Sequence, residues 1–270
     1  MSYLERFNLK GKTAFVVGGL GLLGMEVSKA LAFAGAKVII LDLDLKEKDV
    51  FLNEILELKL DVIFQAFDCT DEKQIEFLFT EMLHKYHMVD VFVNCSYPRT
   101  SNWSQASFVD IDYKNLRENV DMHMNTYAWL AKLVADHMVE NNNNGSIIQF
   151  GSTYGIVGQD LTVYEGTDMK ENMAYALIKG GITNLTRLMA SYYGRWGIRV
   201  NTICPGGISG HVAGKGDQDP IFLENYSKKT PLKRLGRADE VASATLFLAS
   251  DGASYISGTN LMVDGGWTII

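Results

Sequence analysis

At 270 residues, with 47% hydrophobic and 21% charged side chains, the chain has a globular composition and is long enough to bury a core without disulfides or metal. Its 32 acidic against 25 basic residues leave a net charge of −7, and no basic tract breaks that balance, so a nucleic-acid partner is not expected. Cys69, Cys95 and Cys204 stand far apart with no histidine at ligand spacing; no metal site and no disulfide are expected, and neither a signal peptide nor an apolar run of ~18 residues suited to a membrane is found, so the expected setting is the cytoplasm.

In chain order, residues 13–17 read as a strand buried on both faces. They run into Gly18-Gly19-Leu20-Gly21-Leu22-Leu23-Gly24, and a helix-period segment, 22–34, follows at once. Such a unit suits a dinucleotide pyrophosphate. Gly18 permits the tight turn, Gly21 close backbone approach and Gly24 helix–strand contact, while the helix start at Leu22 and Leu23 favours the anion. The second strand, 37–41, is followed by Asp42, a carboxylate suited to both hydroxyls of an adenosine ribose and repelling a 2′-phosphate. Asp44 adds charge and no Arg follows, so NAD is the expected cofactor. After the third strand, 61–66, Asp68 and Cys69 stand where an adenine would lie, although Asp68 is equally suited to capping the next helix, 72–86. The fourth strand, 89–93, ends at Asn94.

A long amphipathic stretch, 115–138, carries Asn119, His123 and Asn125. The asparagine run 141–144 with Gly145 reads as a turn into the strand 146–150, which leads to Ser152. Two segments break the rhythm, 155–172 and the glycine-rich 206–219. Both follow strands at the carboxyl edge where open sheets bind ligands, so both are expected to face substrate. Between them, the helical stretch 174–195 sets Tyr175 and Lys179 on one face. A free phenol, with a pKa near ~10, is a poor base; a nearby ammonium and an oxidised nicotinamide both favour the phenolate. Ser152 is suited to donate to a substrate oxygen as Tyr175 moves its proton. A strand at 199–203 runs on to Pro205-Gly206, and 261–263 closes the set. Apolar strands alternating with helices, without repeats or long linkers, predict one domain over 1–270: an α/β, doubly wound parallel sheet, the Rossmann fold.

In this order and on these elements, the glycine turn, Asp42, Asp68, Asn94, Ser152, Tyr175, Lys179, Pro205-Gly206 and the closing Val263-Asp264-Gly265-Gly266 resemble the short-chain dehydrogenase/reductase family, from about Leu9 to Trp267. The resemblance implies an NAD-dependent enzyme interconverting a secondary alcohol and a ketone. Tyr175 would be the acid or base, Lys179 would lower its pKa and bind the nicotinamide ribose, and Ser152 would orient the substrate oxygen. Asn94 would brace the strand edge, and the Ile208 backbone would meet the nicotinamide amide. A homotetramer or dimer paired through the long helices is also implied.

The sequence departs from the family pattern at four places. The turn has Leu22 where single-domain members commonly have glycine, a spacing more like that of larger, sugar-nucleotide-acting relatives. The usual Asn-Asn-Ala-Gly is Asn94-Cys95-Ser96-Tyr97, which adds the bulk of Tyr97 and Pro98 and the cation of Arg99, suited to an anionic substrate group or to plain surface. His123 stands where the family has a relay Asn, either substituting for it or only packing. The spacing from Ser152 to Tyr175 is longer than usual, and Tyr154, Tyr164 and Glu165 are expected to meet substrate. The combination is similar to bacterial oxidoreductases of flagellin-modification and nonulosonic-acid pathways, which implies a polar, anionic sugar derivative. Rival readings are a 3-oxoacyl reductase, a non-catalytic NAD-binding protein, and an epimerase or dehydratase that retains its cofactor.

Overall fold

The computed structural model describes residues 2–46, 48–210 and 218–270. Among them run seven strands: β1 (Thr13–Val17), β2 (Lys37–Asp42), β3 (Val62–Ala66), β4 (Val91–Asn94), β5 (Ser146–Phe150), β6 (Arg199–Pro205) and β7 (Asn260–Val263). All pair in parallel, in the order β3-β2-β1-β4-β5-β6-β7. Every predicted strand is present, with ends displaced by at most two residues.

The helices are α1 (Leu22–Phe33), α2 (Lys48–Glu57), α3 (Ile75–Tyr86), α4 (Tyr113–Asn119), α5 (Thr126–Glu140), α6 (Met173–Tyr193), α7 (Pro220–Lys229) and α8 (Ala238–Ala249). Two expectations need correction. The helix expected over 72–86 starts only at Ile75. The stretch 115–138 is not one helix, because a π turn, Val120–Asn125, joins α4 to α5. Helices α2, α7 and α8 were not expected. Only Phe51 and Ile55 of α2 and Tyr226 of α7 are buried, too narrow an apolar stripe to read as a period. A legible start did exist for α7, where Asp219 caps the Ile221 and Phe222 amides and Pro220 opens the first turn.

The inner strands β1, β2, β4, β5 and β6 bury both faces, while the edge strands β3 and β7 stay only partly buried. In β1, Ala14 and Val16 enter the layer that holds Val27, Leu31, Val241 and Leu248 of α1 and α8. Phe15 and Val17 point the other way, against Phe79 of α3 and Leu130 and Val134 of α5. β2 alternates likewise, Val38 and Ile40 against Ile39 and Leu41. No helix among the described residues is long and apolar enough to cross a membrane. The three cysteines are free thiols.

Candidate active site

β1 lies between β2 and β4, so the connections leave it in opposite directions and a crevice opens at the carboxyl ends. The glycine turn lines it. Gly18 adopts φ +76°, and a Cβ there would stand 2.5 Å from the Ser96 Cα. At Gly24 a Cβ would stand 2.0 Å from the Gly18 carbonyl oxygen. The fold itself therefore demands both glycines. Gly21 differs: its φ of −74° suits any residue, and a Cβ would touch only the Gly18 oxygen, at 3.4 Å. The protein's own packing does not keep this position bare. Beside it, α1 begins with no side-chain cap, and the Leu22 and Leu23 amides have no acceptor among the described residues. A bare backbone surface with free donors at a helix N-terminus fits a pyrophosphate.

Asp42, half-buried at the end of β2, accepts from the Leu20 amide through Oδ2 and from the Leu43 amide through Oδ1, both at 2.8 Å. Burial pushes its pKa up while the two amides pull it down. It therefore ties the glycine turn to β2 as well as bringing charge to the crevice. The nearby cation Lys48 is engaged by Asp44 and Asp49. Asp68 is exposed, and its Oδ1 accepts from the Thr70 amide and hydroxyl at 2.8 and 2.7 Å. It caps that turn and not α3, whose N-cap is Gln74. Burial pushes the neighbouring Cys69 thiol up to about 11. Asn94 is fully buried; Oδ1 accepts from the Ser96 amide and hydroxyl, and Nδ2 has no partner among the described residues. Across the crevice, Pro205 ends β6 and the Gly206 amide donates to the Val263 carbonyl. The Ile208 carbonyl accepts from Gln218 at 3.0 Å. Residues 211–217 of the expected substrate-facing loop lie outside the described residues.

The turn that follows Ser152 packs on the backbone of α6 at Lys179 because Gly155 has no side chain: a Cβ there would lie 2.6 Å from the Lys179 carbonyl oxygen. Asn172 caps α6 by accepting from the Tyr175 amide at 2.8 Å. The rings of Tyr97 and Trp103 stand nearly perpendicular to that of Tyr175, with centroids 6.1 and 6.2 Å away. Burial pushes the Tyr175 phenol up to about 12, and the Ser152 hydroxyl beside it pulls it down. Lys179, only 4% exposed, donates to the Phe150 carbonyl at 2.8 Å and lies 3.3 Å from His123 Nε2. Its ammonium also faces the rings of Tyr127, Tyr175 and Tyr97, 5.2, 5.7 and 5.9 Å from their centroids. Burial drives it down to about 7. The Lys179 ammonium lies over the phenol ring, and burial is the largest influence on the phenol. The phenol is held high and the ammonium low, so a further cationic group at the crevice favours the phenolate.

The 155–172 segment leaves and returns beside these groups. Tyr164 stacks on Phe222 of α7, with centroids 6.0 Å apart, and Asn225 donates to the Glu165 carbonyl at 2.9 Å. Asp160 pairs with Lys229. On its other flank, Glu171 accepts from the Phe108 amide, and Asn172 donates to the Trp103 carbonyl. The segment thus joins α7 to the 102–112 stretch in one wall. Tyr154 Oη, inside this wall, has no hydrogen-bond partner among the described residues. The Glu165 side chain is exposed. Arg99 is exposed with its guanidinium 5.4 Å from the Tyr97 ring centroid. Trp103, Tyr127 and Gly155 were missed. Trp103 lies in an aperiodic stretch, and nothing in the sequence signals that Gly155 must pass a helix backbone.

A dinucleotide crevice with a serine, a tyrosine and a lysine at its mouth defines a nicotinamide-dependent oxidoreductase. A family profile described as enoyl-(acyl carrier protein) reductase matches residues 22–268, and the chain belongs to the short-chain dehydrogenase/reductase family. It is 28% identical to the post-translational flagellin modification protein A of Campylobacter coli, over 96% of this chain and 99% of that one. It is 29% identical to galactitol 2-dehydrogenase of Rhizobium johnstonii, over 99% of each. Among solved structures, a gluconate 5-dehydrogenase from Burkholderia cenocepacia in complex with NADP and tartrate superposes with a TM-score of 0.86 at 25% identity, covering 100% of both chains. A short-chain dehydrogenase from Leptospira borgpetersenii with bound NAD+ does so with 0.81 at 28% identity, covering 99% and 96%.

Proposed function

We propose that this chain is a cytoplasmic, homo-oligomeric, single-domain NAD-dependent dehydrogenase that oxidises a secondary alcohol of a polar sugar derivative, or reduces the matching ketone. The observation that carries this reading is the convergence of Ser152, Tyr175 and Lys179 beside a cradle that only a ligand needs bare. The Gly21 backbone and the Leu22 and Leu23 amides would hold the pyrophosphate, Asp42 the adenosine ribose, Asp68 and Cys69 the adenine edge, and Pro205, Gly206 and Ile208 the nicotinamide end. When bound, nicotinamide supplies or accepts the hydride. Ser152 donates to the substrate oxygen and orients it. Tyr175 takes the alcohol proton in oxidation and returns it in reduction. Lys179 keeps positive charge beneath the phenol and offers a donor to the crevice.

Asp42 favours NAD, since a carboxylate fixed by two amides repels a 2′-phosphate. Tyr97 and Tyr164 supply flat faces and hydroxyls suited to a polyol, Tyr154 backs the wall behind them, Glu165 lies at the outer rim, and Arg99 suits a carboxylate. Relatives named for galactitol and gluconate support a sugar or sugar acid. The test is a panel of sugar alcohols, sugar acids and 3-oxoacyl thioesters with NAD and NADP, read by NADH or NADPH absorbance. Turnover of polyols with NAD is expected; turnover confined to acyl thioesters would replace this reading with the reductase alternative.

A further inference from the structure

His123 is fully buried in the π turn between α4 and α5, and each ring nitrogen has a definite environment. Nε2 lies 3.3 Å from Lys179 Nζ, and Nδ1 has no partner among the described residues. Tyr97 stands edge-on to the ring at 5.5 Å, and Tyr127 packs at 5.2 Å. An ammonium only donates, so the contact is a hydrogen bond only when Nε2 offers its lone pair, which puts the ring proton on Nδ1. A protonated ring would set two cations 3.3 Å apart out of water. Burial and the Lys179 charge accordingly push the imidazole well below its ordinary value.

The wide turn makes this meeting possible. One extra residue rotates the downstream helix by about 100° relative to an unbroken one. The Thr126 hydroxyl holds the turn by donating to the Met122 and His123 carbonyls, each at 2.9 Å. Tyr127 then reaches the Ser96 carbonyl at 2.7 Å, and Met124 packs against Gly181 of α6, two residues beyond Lys179. The titratable groups facing Lys179 are Tyr175 on its own helix, Cys95 and Tyr97 just after β4, Tyr127 on α5 and Cys204 on β6. Burial pushes every one of these acids up, so none supplies an anion near neutral pH. Among the described residues, the Phe150 carbonyl and His123 are the acceptors within reach of the ammonium, and both are neutral.

We propose that His123 is a positioning residue, a neutral Nδ1–H imidazole whose Nε2 accepts from Lys179 and fixes that ammonium, charged, beneath Tyr175. The Phe150 carbonyl and His123 take two of its three donors and leave one for the crevice. This deepens the dehydrogenase reading and rests on it for its kinetic consequence. Two measurements test it. In the cofactor-free protein, 15N NMR of the imidazole should show the Nδ1–H tautomer near neutral pH. An Nε2–H tautomer or an imidazolium would overturn the proposal. In kinetics, H123F removes the acceptor and keeps a ring, whereas H123N retains an acceptor oxygen. H123F should lose about 10- to 100-fold in kcat, the worth of a hydrogen bond to a charged group. Its KM for cofactor should hold, and the pH limb for ionising Tyr175 should rise by about one unit. H123N should recover most of both. A folded H123F with wild-type kcat and pH profile would also overturn it, and if H123F does not fold the tautomer decides alone. Wild-type protein inert toward every alcohol would count against the dehydrogenase reading, while the tautomer would still decide this one.

Discussion

Replacing Gly24 and Gly21 separately by alanine distinguishes a glycine the fold needs from one a ligand needs. At Gly24 the new methyl would sit 2.0 Å from the Gly18 oxygen and 2.7 Å from the Gly19 Cα, all backbone that no rotamer change can clear. Helix α1 must move off the turn. With a backbone oxygen only 2.0 Å away, overpacking falls at the upper end of its usual range, about 3 kcal/mol, against about 1 kcal/mol that alanine returns in helix propensity, a net loss of about 2 kcal/mol. G24A should therefore lower Tm by several degrees, since about 1 kcal/mol shifts a chain of this size by roughly 2–4 °C. At Gly21 the methyl meets one atom at ordinary contact distance and the backbone is already in a region open to alanine. G21A should hold its Tm to within about 0.5 kcal/mol of stability or gain slightly, yet bind NAD at least about tenfold more weakly, because a methyl stands where the phosphates must approach. Thermal unfolding beside a fluorescence titration with NAD reads both. Wild-type NAD affinity in G21A would refute the cradle, and wild-type stability in G24A would refute the contact.

D42N keeps an acceptor for the Leu20 amide while removing charge, so the turn should survive and the preference for NAD over NADP, expected to be at least about tenfold, should shrink; titration with both cofactors checks it, and tighter NADP binding by the wild type would contradict it. Lys179 is held down to about 7, below its unfolded-state value, so the cost of burying its charge is felt in full below about pH 7 and fades as pH rises toward the unfolded value. K179M should therefore be more stable than wild type by about 1–3 kcal/mol at about pH 6, and by less at about pH 9; equal stability at the lower pH would argue that the lysine is hydrated. Trp129 of α5 and Leu177, Leu188 and Tyr192 of α6 remain between 40% and 66% exposed, and light scattering should find a dimer or tetramer at every working concentration, a monomer contradicting the pairing of these helices.

The inner strands were legible because burial on both faces writes a largely apolar run, while the partly buried edge strands β3 and β7 show only short apolar stretches. Helices α2 and α7 were not, because each buries one or two side chains and lies largely in water. Among the site residues, Ser152, Tyr175, Lys179 and Gly21 could be named from local context; the first three lie together, and Gly21 lies in the glycine turn. His123 was visible only as an odd residue at one position. Its contact with Lys179 depends on a π turn held by a threonine hydroxyl, and no apolar period encodes that turn. The segment 155–172 was expected to present Tyr164 and Glu165 to substrate. Its ring stacking and backbone hydrogen bond also anchor it to α7, a pairing between stretches about 60 residues apart that only the tertiary fold reveals.

The central claim is that Tyr175 moves the proton of an alcohol oxidised by NAD. The direct measurement is NADH formation from the best polyol of the panel by wild type and Y175F, with NAD affinity determined on both. The substitution removes one hydroxyl from a ring already packed by Tyr97 and Trp103, so fold and NAD affinity should persist while turnover falls by roughly 10²–10⁴-fold. A Y175F protein that turns over near the wild-type rate would contradict the account.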